Sequence, residues 1–482
     1  MRTVLLVILL SILAKVHGQV QVITKDSKEY VIDSLLKSCH NKDLFNGVAL
    51  VVDEGKIILN KTYGISDFEN QTPLKLSDRF YIGSITKQFT SVLILQMQED
   101  GLIDINAPIA NYLDEFGDKT FAQITVYQLL THTSGLGNFT SHPDFDKSMA
   151  YSEQEMFDFI KQPLLFPPGS DWNYSNSGYF LLGKIAERVS HKDYGTLLRE
   201  RFFDPLEMKN TAFSIEWLND KVAHGYLRTI DGLKPMPNYS TSSLYSSGGI
   251  FSTASDLFVW SKALDGNKLL NEKSKEVLLQ PERNDYACGI YVKKGIDENG
   301  GEYERHFHGG MIQGYHSFML KRVPQKQVVI LLDNFNNQEI PTIKNRIWSA
   351  LIEEEIKEIK PKLSNLLFDA CAKNTFVKLM DSISNNLELF ENQYAFEEFD
   401  INTVAYRLME AERYSEAQIL FGFNVNRYPN SWNVYDSMGE LQLNQGNWEN
   451  AKRLYQKSLK LNPNNLSGIK ALETLANHLK TK

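Results

Sequence analysis

The hydrophobic pattern at the start of the chain predicts a helix followed by a hairpin of two strands. A helix is predicted over residues 27–39, and the unbroken apolar run over residues 47–52 is typical of a buried strand. Residues 56–63 are its predicted partner, because the sequence Asp53-Glu54-Gly55 between the two runs favours a turn.

A second helix is predicted directly after an extended run that ends at Gly83. Ser84 is a favourable N-cap residue, apolar residues follow at helical spacing, and Gly101 is placed to end the helix. On this helix Lys87 lies one turn from Ser84, with its amine in reach of the serine hydroxyl. A helix N-terminus also presents unpaired N–H groups, which suit a developing oxyanion. The spacing therefore indicates a serine made nucleophilic by a neighbouring lysine.

The pattern from residue 100 to residue 260 is mainly helical and rich in loops, with residues 135–149 as a candidate cover for a cleft. Strands are predicted again over residues 287–292, 303–308, 315–320 and 327–332, followed by a helix over residues 340–357. Strands at both ends of a helical segment predict an α/β fold: one antiparallel sheet flanked by helices, with a helical insert.

Beyond Pro361 the pattern changes to helices without strands, and a 34-residue internal repeat begins. The repeated positions are Ala405, Tyr414, Ala417, Leu420, Phe421 and Pro429, followed by Gly439, Trp448, Ala451, Leu454, Tyr455 and Pro463. This pattern resembles the tetratricopeptide repeat, so residues 361–482 are predicted to form an all-α repeat domain, with a plain helical bundle as the alternative. Two repeats are few for an independent array. Residues 366–400 are therefore expected to add a helix pair, or the array to lean on the preceding domain.

Length and composition narrow the classes of function. The 482 residues suffice for two or more domains, with 42% hydrophobic and 23% charged residues as in ordinary globular proteins. A net charge of −8 argues against nucleic acid as a partner. Three cysteines are too few for a disulfide framework.

Residues 1–18 are predicted to be a signal peptide, with a positive start, an apolar core and small residues before Gln19. The alternative is a membrane anchor, but an apolar core of about 12 residues is shorter than the ~20 that a spanning helix needs. The sequence therefore predicts an exported protein, periplasmic or secreted, with a domain over residues 19–360 and no membrane span after signal removal.

Five motifs in order resemble the class C β-lactamase-like serine hydrolases, a family of AmpC-type β-lactamases, D-alanyl-D-alanine carboxypeptidases, D-aminopeptidases and esterases. They are Phe80-Tyr81-Ile82-Gly83-Ser84-Ile85-Thr86-Lys87, Leu129-Leu130-Thr131-His132-Thr133-Ser134-Gly135-Leu136, Tyr174-Ser175-Asn176, Ser246-Ser247-Gly248-Gly249 and His308-Gly309-Gly310-Met311. Single motifs are weak signals, since Ser34-Leu35-Leu36-Lys37 and Tyr428-Pro429-Asn430 match two of them elsewhere. The resemblance covers about residues 25–355 and implies the fold predicted above.

The resemblance also implies a division of roles. Ser84 would attack an ester, peptide or amide substrate, and Lys87 and Tyr174 would move protons, with a cationic Lys87 favouring the ionised form of Tyr174. Asn176, His308 and Gly310 would bind the substrate. The backbone N–H groups of Ser84 and Met311 would form the oxyanion hole. This chemistry needs no cofactor. His132 is expected to have a structural role, bonding to the backbone near the cleft.

His308 departs from the lysine that the β-lactamases of this family carry at the third motif. Histidine is mostly neutral at pH 7 but can donate a hydrogen bond to a substrate carbonyl or to Tyr174, which favours neutral substrates over carboxylate-bearing β-lactams. His306 and His308 share a strand face, so a metal site is the alternative, although no third ligand is evident and none is predicted. A rival function is a binding protein that works through its repeats, which are a candidate surface for a protein partner.

Overall fold

The computed structural model describes residues 27–213, 222–236, 240–296, 301–335 and 339–480 of the chain. The predicted signal peptide, residues 1–18, lies outside these residues. None of the described helices has both the length and the apolar character that crossing a membrane requires. Cys39, Cys288 and Cys371 are buried and unpaired.

Strands and helices are interspersed before residue 360, whereas the described elements after it are all helices. The described strands are β1 Gly47–Asp53, β2 Lys56–Tyr63, β3 Ile65–Asp67, β4 Thr72–Pro73, β5 Phe80–Tyr81, β6 Ala212–Phe213, β7 Tyr226–Thr229, β8 Gly232–Pro235, β9 Ile250–Ser252, β10 Tyr291–Ile296, β11 Glu302–Ile312, β12 Tyr315–Arg322 and β13 Gln327–Asp333. The helices before residue 360 are α1 Lys28–Asn41, α2 Thr86–Glu99, α3 Val126–Leu130, α4 Glu153–Ile160, α5 Asn176–Ser190, α6 Tyr194–Leu198, α7 Thr241–Gly248, α8 Ala254–Ala263, α9 Glu272–Leu279 and α10 Ile340–Leu351. The helices after residue 360 are α11 Leu363–Ala372, α12 Phe376–Asn385, α13 Leu387–Gln393, α14 Glu398–Glu410, α15 Tyr414–Arg427, α16 Trp432–Asn444, α17 Trp448–Leu461 and α18 Leu466–Lys480.

One antiparallel sheet joins strands from both ends of the first domain, which confirms the predicted fold class. Its strand order is β10-β11-β12-β13-β1-β2. β1 lies between β13 and β2, so Leu50 pairs with Ile330 on one side and with Asn60 on the other. The predicted hairpin of residues 47–52 and 56–63 is therefore present, and its second neighbour comes from the far end of the domain.

Alternate residues of β1 supply the cores on the two faces of the sheet. Val48, Leu50 and Val52 pack into a core shared with α2 and the helical insert. Ala49 and Val51 pack on the opposite face, against α1 and α10. Because helices cover both faces, β1 has an unbroken apolar sequence rather than an alternating one. Burial of each valine or leucine contributes about 1.5–3 kcal/mol, which makes β1 a central stabilising element.

The strand predicted over residues 287–292 is wrong in its first half, because β10 begins only at Tyr291. Ala287 donates its N–H to the Ile290 carbonyl, and Gly289 has a φ of +74° in the intervening turn. A Cβ on Gly289 would lie 2.5 Å from the Lys87 carbonyl oxygen, so this turn packs directly onto α2. The apolar residues are therefore buried by contact with a helix and not by strand pairing.

The region between residues 100 and 260 is mainly helical, as predicted, but it also holds short strands that the pattern did not indicate. β9 lies between β5 and β6, and β7 pairs with β8 in a separate hairpin. The helix predicted over residues 340–357 is shorter than expected, because α10 ends at Leu351.

The C-terminal region confirms the predicted repeat. Helices starting at residues 398 and 414 are followed by helices starting at residues 432 and 448, which is the 34-residue period of the sequence. A Cβ on Gly439 would lie 3.2 Å from the Tyr455 ring, so a small residue is needed where the two helices of this repeat cross. Residues 366–400 supply the further helices that were expected.

The repeat region also leans on the first domain, through the β7–β8 hairpin. Ile230 at the tip of this hairpin packs into the same core as Leu363 and Leu367 of α11. Beside it, Arg228 forms an ion pair with Asp369. The predicted domain boundary at residues 360 and 361 falls between the end of α10 and the start of α11 and stays a prediction.

Truncation after Lys360 should leave a folded first domain that hydrolyses small soluble esters, because every predicted site residue precedes that point. The truncation exposes Ile230 and leaves Arg228 without Asp369, so the melting temperature should fall. The measurement is kcat/KM and thermal unfolding of the truncated protein. A second version with Ile230→Ser controls for aggregation through the exposed side chain. A truncated protein that is folded but inactive would show that the repeats contribute to the cleft.

Candidate active site

Ser84 lies at the junction between strand β5 and helix α2. The expectation of an N-cap serine is wrong: Ser84 is inside a 3-10 turn, Gly83–Ile85, which leads directly into α2 at Thr86. Gly83 has a φ of +51°, a conformation that favours glycine, and a Cβ there would lie 3.1 Å from Met311 N. The turn therefore brings Ser84 close to strand β11.

Lys87 is fully buried and reaches back to Ser84 as the helical spacing predicts. Its Nζ lies 3.1 Å from Ser84 Oγ, 2.8 Å from Asn176 Oδ1 and 2.7 Å from the Ser247 carbonyl oxygen. Two of these three partners are carbonyl-type oxygens, which can only accept hydrogen bonds. The serine hydroxyl is thus the one partner that can also donate to the amine.

Burial lowers the pKa of Lys87 well below its ordinary value. An unprotonated amine has two N–H bonds and one lone pair. With the N–H bonds directed to Asn176 and Ser247, the lone pair faces the hydroxyl of Ser84. This arrangement prepares Lys87 to accept the serine proton.

Tyr174 contacts the same serine from the other side. Its hydroxyl is hydrogen-bonded to Ser84, and Lys87 Nζ lies 4.9 Å from the centre of its ring. Burial raises the pKa of Tyr174 above its ordinary value. The expected stabilisation of an ionised tyrosine by a cationic Lys87 is therefore wrong: burial favours the neutral form of both groups. A neutral amine has a lone pair that can accept a proton, and a neutral phenol has a proton that it can donate.

Helix α5 positions the second motif. Ser175 caps this helix by accepting from Gly178 N, and Asn176 is its first residue. Asn176 was expected to bind substrate. Its amide oxygen accepts from Lys87, and its amide nitrogen has no hydrogen-bond partner among the residues that the structure describes.

His132 holds the backbone on both sides of Tyr174, in agreement with its expected structural role. Its Nδ1 accepts from Ser175 N at 3.2 Å, and its carbonyl oxygen accepts from Asn173 N at 3.0 Å. Its ring centre also lies 4.4 Å from that of Tyr174. Burial lowers the pKa of His132 well below its usual value, so the ring is neutral at pH 7.

Strand β11 carries the third motif past the serine. β10 pairs with β11 only as far as Phe307, so His308 and the residues after it are paired with β12 alone. A Cβ on Gly310 would lie 2.0 Å from the Ile82 carbonyl oxygen, and Ser317 Oγ donates to the same oxygen at 2.7 Å. The absent side chain lets β11 lie against the segment before Ser84, which brings Met311 N near the serine.

His308 is buried, with 3% of its surface exposed. Its Nδ1 lies 2.6 Å from the Gly309 carbonyl oxygen, and its Nε2 lies 3.5 Å from the Tyr286 hydroxyl. Burial and the nearby Lys87 lower the pKa of His308 to about 3. The structure therefore agrees with the prediction of a neutral side chain at this position.

A cavity of about 440 Å³ adjoins Tyr174. Part of its wall comes from the segment that was predicted to cover a cleft, including Asn138 and His142. The remaining wall includes Phe159 and Leu165. Tyr174 thus lines this cavity as well as contacting Lys87 with its ring.

Nothing in the sequence indicated that the Ser247 carbonyl contacts Lys87, or that Tyr245, two residues earlier, has a strained backbone. Tyr245 has φ 33° and ψ −137° inside helix α7, an outlier for a bulky side chain. After this kink the Ser246 carbonyl accepts from Thr90 and the Ser247 carbonyl accepts from Lys87, both at 2.7 Å. The available signal was the motif Ser246-Ser247-Gly248-Gly249. The motif did not indicate, however, that a backbone carbonyl within it accepts a hydrogen bond from Lys87.

The alternative positions do not assemble into a site. Lys37 pairs with Asp33 at 3.0 Å, and Ser34 is exposed on α1. The Tyr428 hydroxyl donates to the Phe396 carbonyl in the repeat region. His306 bonds to Glu304 at 2.7 Å. Within the described ranges, no group of three or more side chains of the metal-binding types lies close enough to hold an ion.

Two family models match the two parts of the chain. The Beta-lactamase model matches residues 32–337, and the Tetratricopeptide repeat model matches residues 432–465. Protein flp of Staphylococcus aureus (strain MW2) is 27% identical over 354 residues, which cover 69% of this chain and 68% of flp.

Solved structures share the fold. The penicillin binding protein from Bacillus halodurans has a TM-score of 0.57 at 24% identity, covering 65% of this chain and 99% of that protein. The D-amino acid amidase from Ochrobactrum anthropi SV3 has a TM-score of 0.58 at 24% identity, covering 68% of this chain and 99% of the amidase. The family match extends over more than half of the sequence and over every motif residue named above, and on that basis the chain belongs to the beta-lactamase family of serine hydrolases.

Proposed function

We propose that this protein is an exported serine hydrolase that cleaves ester or amide bonds through an acyl-enzyme on Ser84. The carrying observation is the position of Ser84 Oγ, which lies 3.1 Å from a buried lysine amine and is hydrogen-bonded to Tyr174. A nucleophile in contact with both a base and an acid can complete acyl transfer without a cofactor.

Acylation begins when Ser84 Oγ attacks the substrate carbonyl carbon and its proton passes to Lys87. The resulting lysine cation keeps all three hydrogen bonds, because Ser84 Oγ, Asn176 Oδ1 and the Ser247 carbonyl can each accept from it. The oxyanion lies between the N–H groups of Ser84 and Met311. Tyr174 donates its proton to the leaving group, and the Lys87 cation restores that proton.

Deacylation repeats these steps with water. Lys87 takes a proton from the water as it attacks the acyl carbon, Ser84 Oγ leaves with the proton of Tyr174, and the Lys87 cation restores that proton to Tyr174. Lys87 is fully buried and Tyr174 is half-buried, so the proposed proton transfers run between these two groups. Asn176 can donate its amide N–H to the substrate, since its oxygen is already bonded to Lys87.

The proposed substrates are neutral short esters, amides or peptides. A neutral His308 cannot form the ion pair with a substrate carboxylate that a lysine would form at this position. Carboxylate-bearing β-lactams are therefore expected to react more slowly than neutral esters.

The C-terminal repeats are proposed to bind a protein partner, and residues 1–18 to direct export. N-terminal sequencing of the mature protein tests the export proposal. Mature protein that begins at Gln19 supports the proposal, and a mature chain that keeps residue 1 contradicts it.

A fluorophosphonate probe tests the proposed function directly. The probe phosphorylates activated serines, so the wild-type protein should form a covalent adduct that peptide mass spectrometry places on Ser84. Ser84→Ala should form none, whereas Ser34→Ala, the other serine in an S-x-x-K sequence, should react like the wild type. Lack of an adduct, or an adduct at another serine, would contradict the assignment of Ser84.

The pH dependence should reflect the two buried groups. Lys87 must be unprotonated to act, so the rate rises with pH through the pKa of Lys87 and stays level until Tyr174 ionises. Burial lowers the first pKa and raises the second. For a neutral ester, kcat/KM should become level at a pH well below the ordinary lysine pKa of ~10.4. An acid limb centred near that ordinary value would contradict a neutral Lys87.

A further inference from the structure

Three carboxylates share one lysine where the repeat region meets the first domain. Lys362 directly precedes α11, and its Nζ lies 2.8 Å from Asp400 Oδ2, 3.5 Å from Glu397 Oε2 and 3.9 Å from Glu339 Oε1. Glu397 and Asp400 lie at the start of α14 in the repeat region, whereas Glu339 directly precedes α10 of the first domain. The cluster therefore spans the boundary, with three acidic groups around one basic group.

Glu339 is the most enclosed carboxylate of this cluster. Its side chain is 6% exposed, compared with 13% for Asp400 and 54% for Glu397. The nearest printed cation, Lys362, is 1.1 Å closer to Asp400 than to Glu339, so it compensates a charge on Glu339 poorly. Burial raises the pKa of Glu339 to about 7, and the charges of Glu397 and Asp400 add to this effect while Lys362 opposes it.

The other groups that face Glu339 do not supply a second positive charge. Burial opposes the charge of Lys362, but its bond to Asp400 raises the pKa of the amine, which therefore remains a cation. Burial also raises the pKa of Glu397, with Asp400 adding to it. The thiol of Cys39 on α1 also interacts with Glu339, and burial raises the pKa of this thiol to about 12, which keeps it neutral.

Protonation of Glu339 is thereby linked to docking of the repeat region. An exposed glutamate has a pKa of ~4.3, whereas the enclosed Glu339 has a pKa of about 7. Docking therefore takes up a proton at pH values between these two. This contribution to docking is complete below pH ~4.3 and is lost as the pH rises through about 7, where Glu339 becomes the third negative charge beside one ammonium group.

We propose that Glu339 is a proton-dependent contact between the first domain and the repeat region, which are held together when its carboxyl is protonated and loosened when it is ionised. The contact of Ile230 with α11 and the ion pair of Arg228 with Asp369 do not involve this proton, so the loosened repeat region stays attached at the β7–β8 hairpin. The proposal is independent of the acyl-enzyme on Ser84, because no residue of the cluster belongs to the candidate active site.

Backbone hydrogen–deuterium exchange of the full chain between about pH 5 and about pH 8 tests the proposal. Dividing by the intrinsic exchange rates removes the direct effect of pH on exchange. The informative amides are Ile343 and Ile401, whose N–H groups are bonded to the carbonyls of Glu339 and Glu397. Their protection in the wild type should fall by about tenfold or more as the pH rises, the effect expected from one displaced proton.

Glu339→Gln has a side chain of equal size that is neutral at every pH. This variant should keep at pH ~8 the protection that the wild type shows at pH ~5, and its hydrolysis of a small ester should match the wild type. Glu353→Gln is the matched control, since it removes an exposed carboxylate that pairs with Lys28 inside the first domain. Its protection should follow the pH dependence of the wild type.

Carbon NMR of the wild-type glutamate carboxyl groups gives a second measurement, which does not depend on the folding of a variant. The Glu339 signal should titrate with a midpoint near pH 7. A midpoint near the ordinary ~4.3, or the same pH dependence of protection in wild type and Glu339→Gln, would overturn the proposal. Either result would leave the assignment of Ser84 intact.

Discussion

Ser84→Ala is expected to lower kcat on a small neutral ester by about 10⁴-fold or more, because the substitution removes the only atom proposed to form the acyl bond. Lys87 and Tyr174 would remain in place, but neither can replace the hydroxyl. The fold should be retained, since Ser84 lies in the turn before α2 and its side chain is outside the apolar core. The measurement is burst and steady-state kinetics together with thermal unfolding.

Ser34→Ala serves as the control for this experiment, because it changes an exposed serine on α1 that also belongs to an S-x-x-K sequence. Its kinetics should match the wild type. Activity of Ser84→Ala within tenfold of the wild type would contradict the assignment. In that case hydrolysis would have to proceed through direct attack of water or through another nucleophile.

Gly310→Ala should lower kcat/KM by about 10²–10³-fold, the cost of losing one oxyanion-hole donor. The new Cβ would lie 2.0 Å from the Ile82 carbonyl oxygen and 2.5 Å from Ser317 Oγ. The first contact is with backbone, so β11 must move away from the segment that precedes Ser84. That movement separates Met311 N from Ser84 N, while the side chains of Lys87 and Tyr174 keep their contacts.

Gly309→Ala is the matched control, because Gly309 precedes Gly310 in the same strand and has room for a methyl group. A Cβ on Gly309 would meet Phe318 at 3.6 Å and the Ser317 carbonyl at 3.7 Å, which are ordinary contacts. The variant should keep kcat/KM within about threefold of the wild type and should react with the fluorophosphonate at a similar rate. Equal losses in both variants would show that β11 tolerates no side chain here and that the Gly310 contact is not specific.

The local elements and the contact between Ser84 and Lys87 were predictable from the sequence. Lys87 reaches Ser84 because both lie within one turn of the same helical segment, and that geometry depends only on spacing along the chain. The hairpin of β1 and β2 and the period of the repeat helices follow from short-range hydrophobic pattern in the same way. Contacts between residues close together in the sequence are predictable, because backbone geometry fixes which side chains are neighbours.

The protonation states were not predictable, because burial decides them. The sequence placed a lysine near a tyrosine, which favours a cation beside a phenolate. In the fold, desolvation lowers the pKa of the amine and raises the pKa of the phenol, which favours the neutral form of both and is the basis of the proposed roles of base and acid. The identities of Lys87 and Tyr174 alone do not predict these protonation states, because the atoms around the two side chains come from α5, α7 and β11.

Contacts made by backbone atoms were also decided by tertiary structure alone. The Ser247 carbonyl faces Lys87 two residues after the strained Tyr245, and the bond is made by the backbone rather than by the side chain of Ser247. In the same way, the Gly309 carbonyl fixes the tautomer of His308 and makes Nε2 an acceptor. The sequence by itself thus determined the contact between Ser84 and Lys87, through spacing along the chain. The packing of distant segments determined which of them hold protons, because desolvation and backbone dipoles depend on the whole fold.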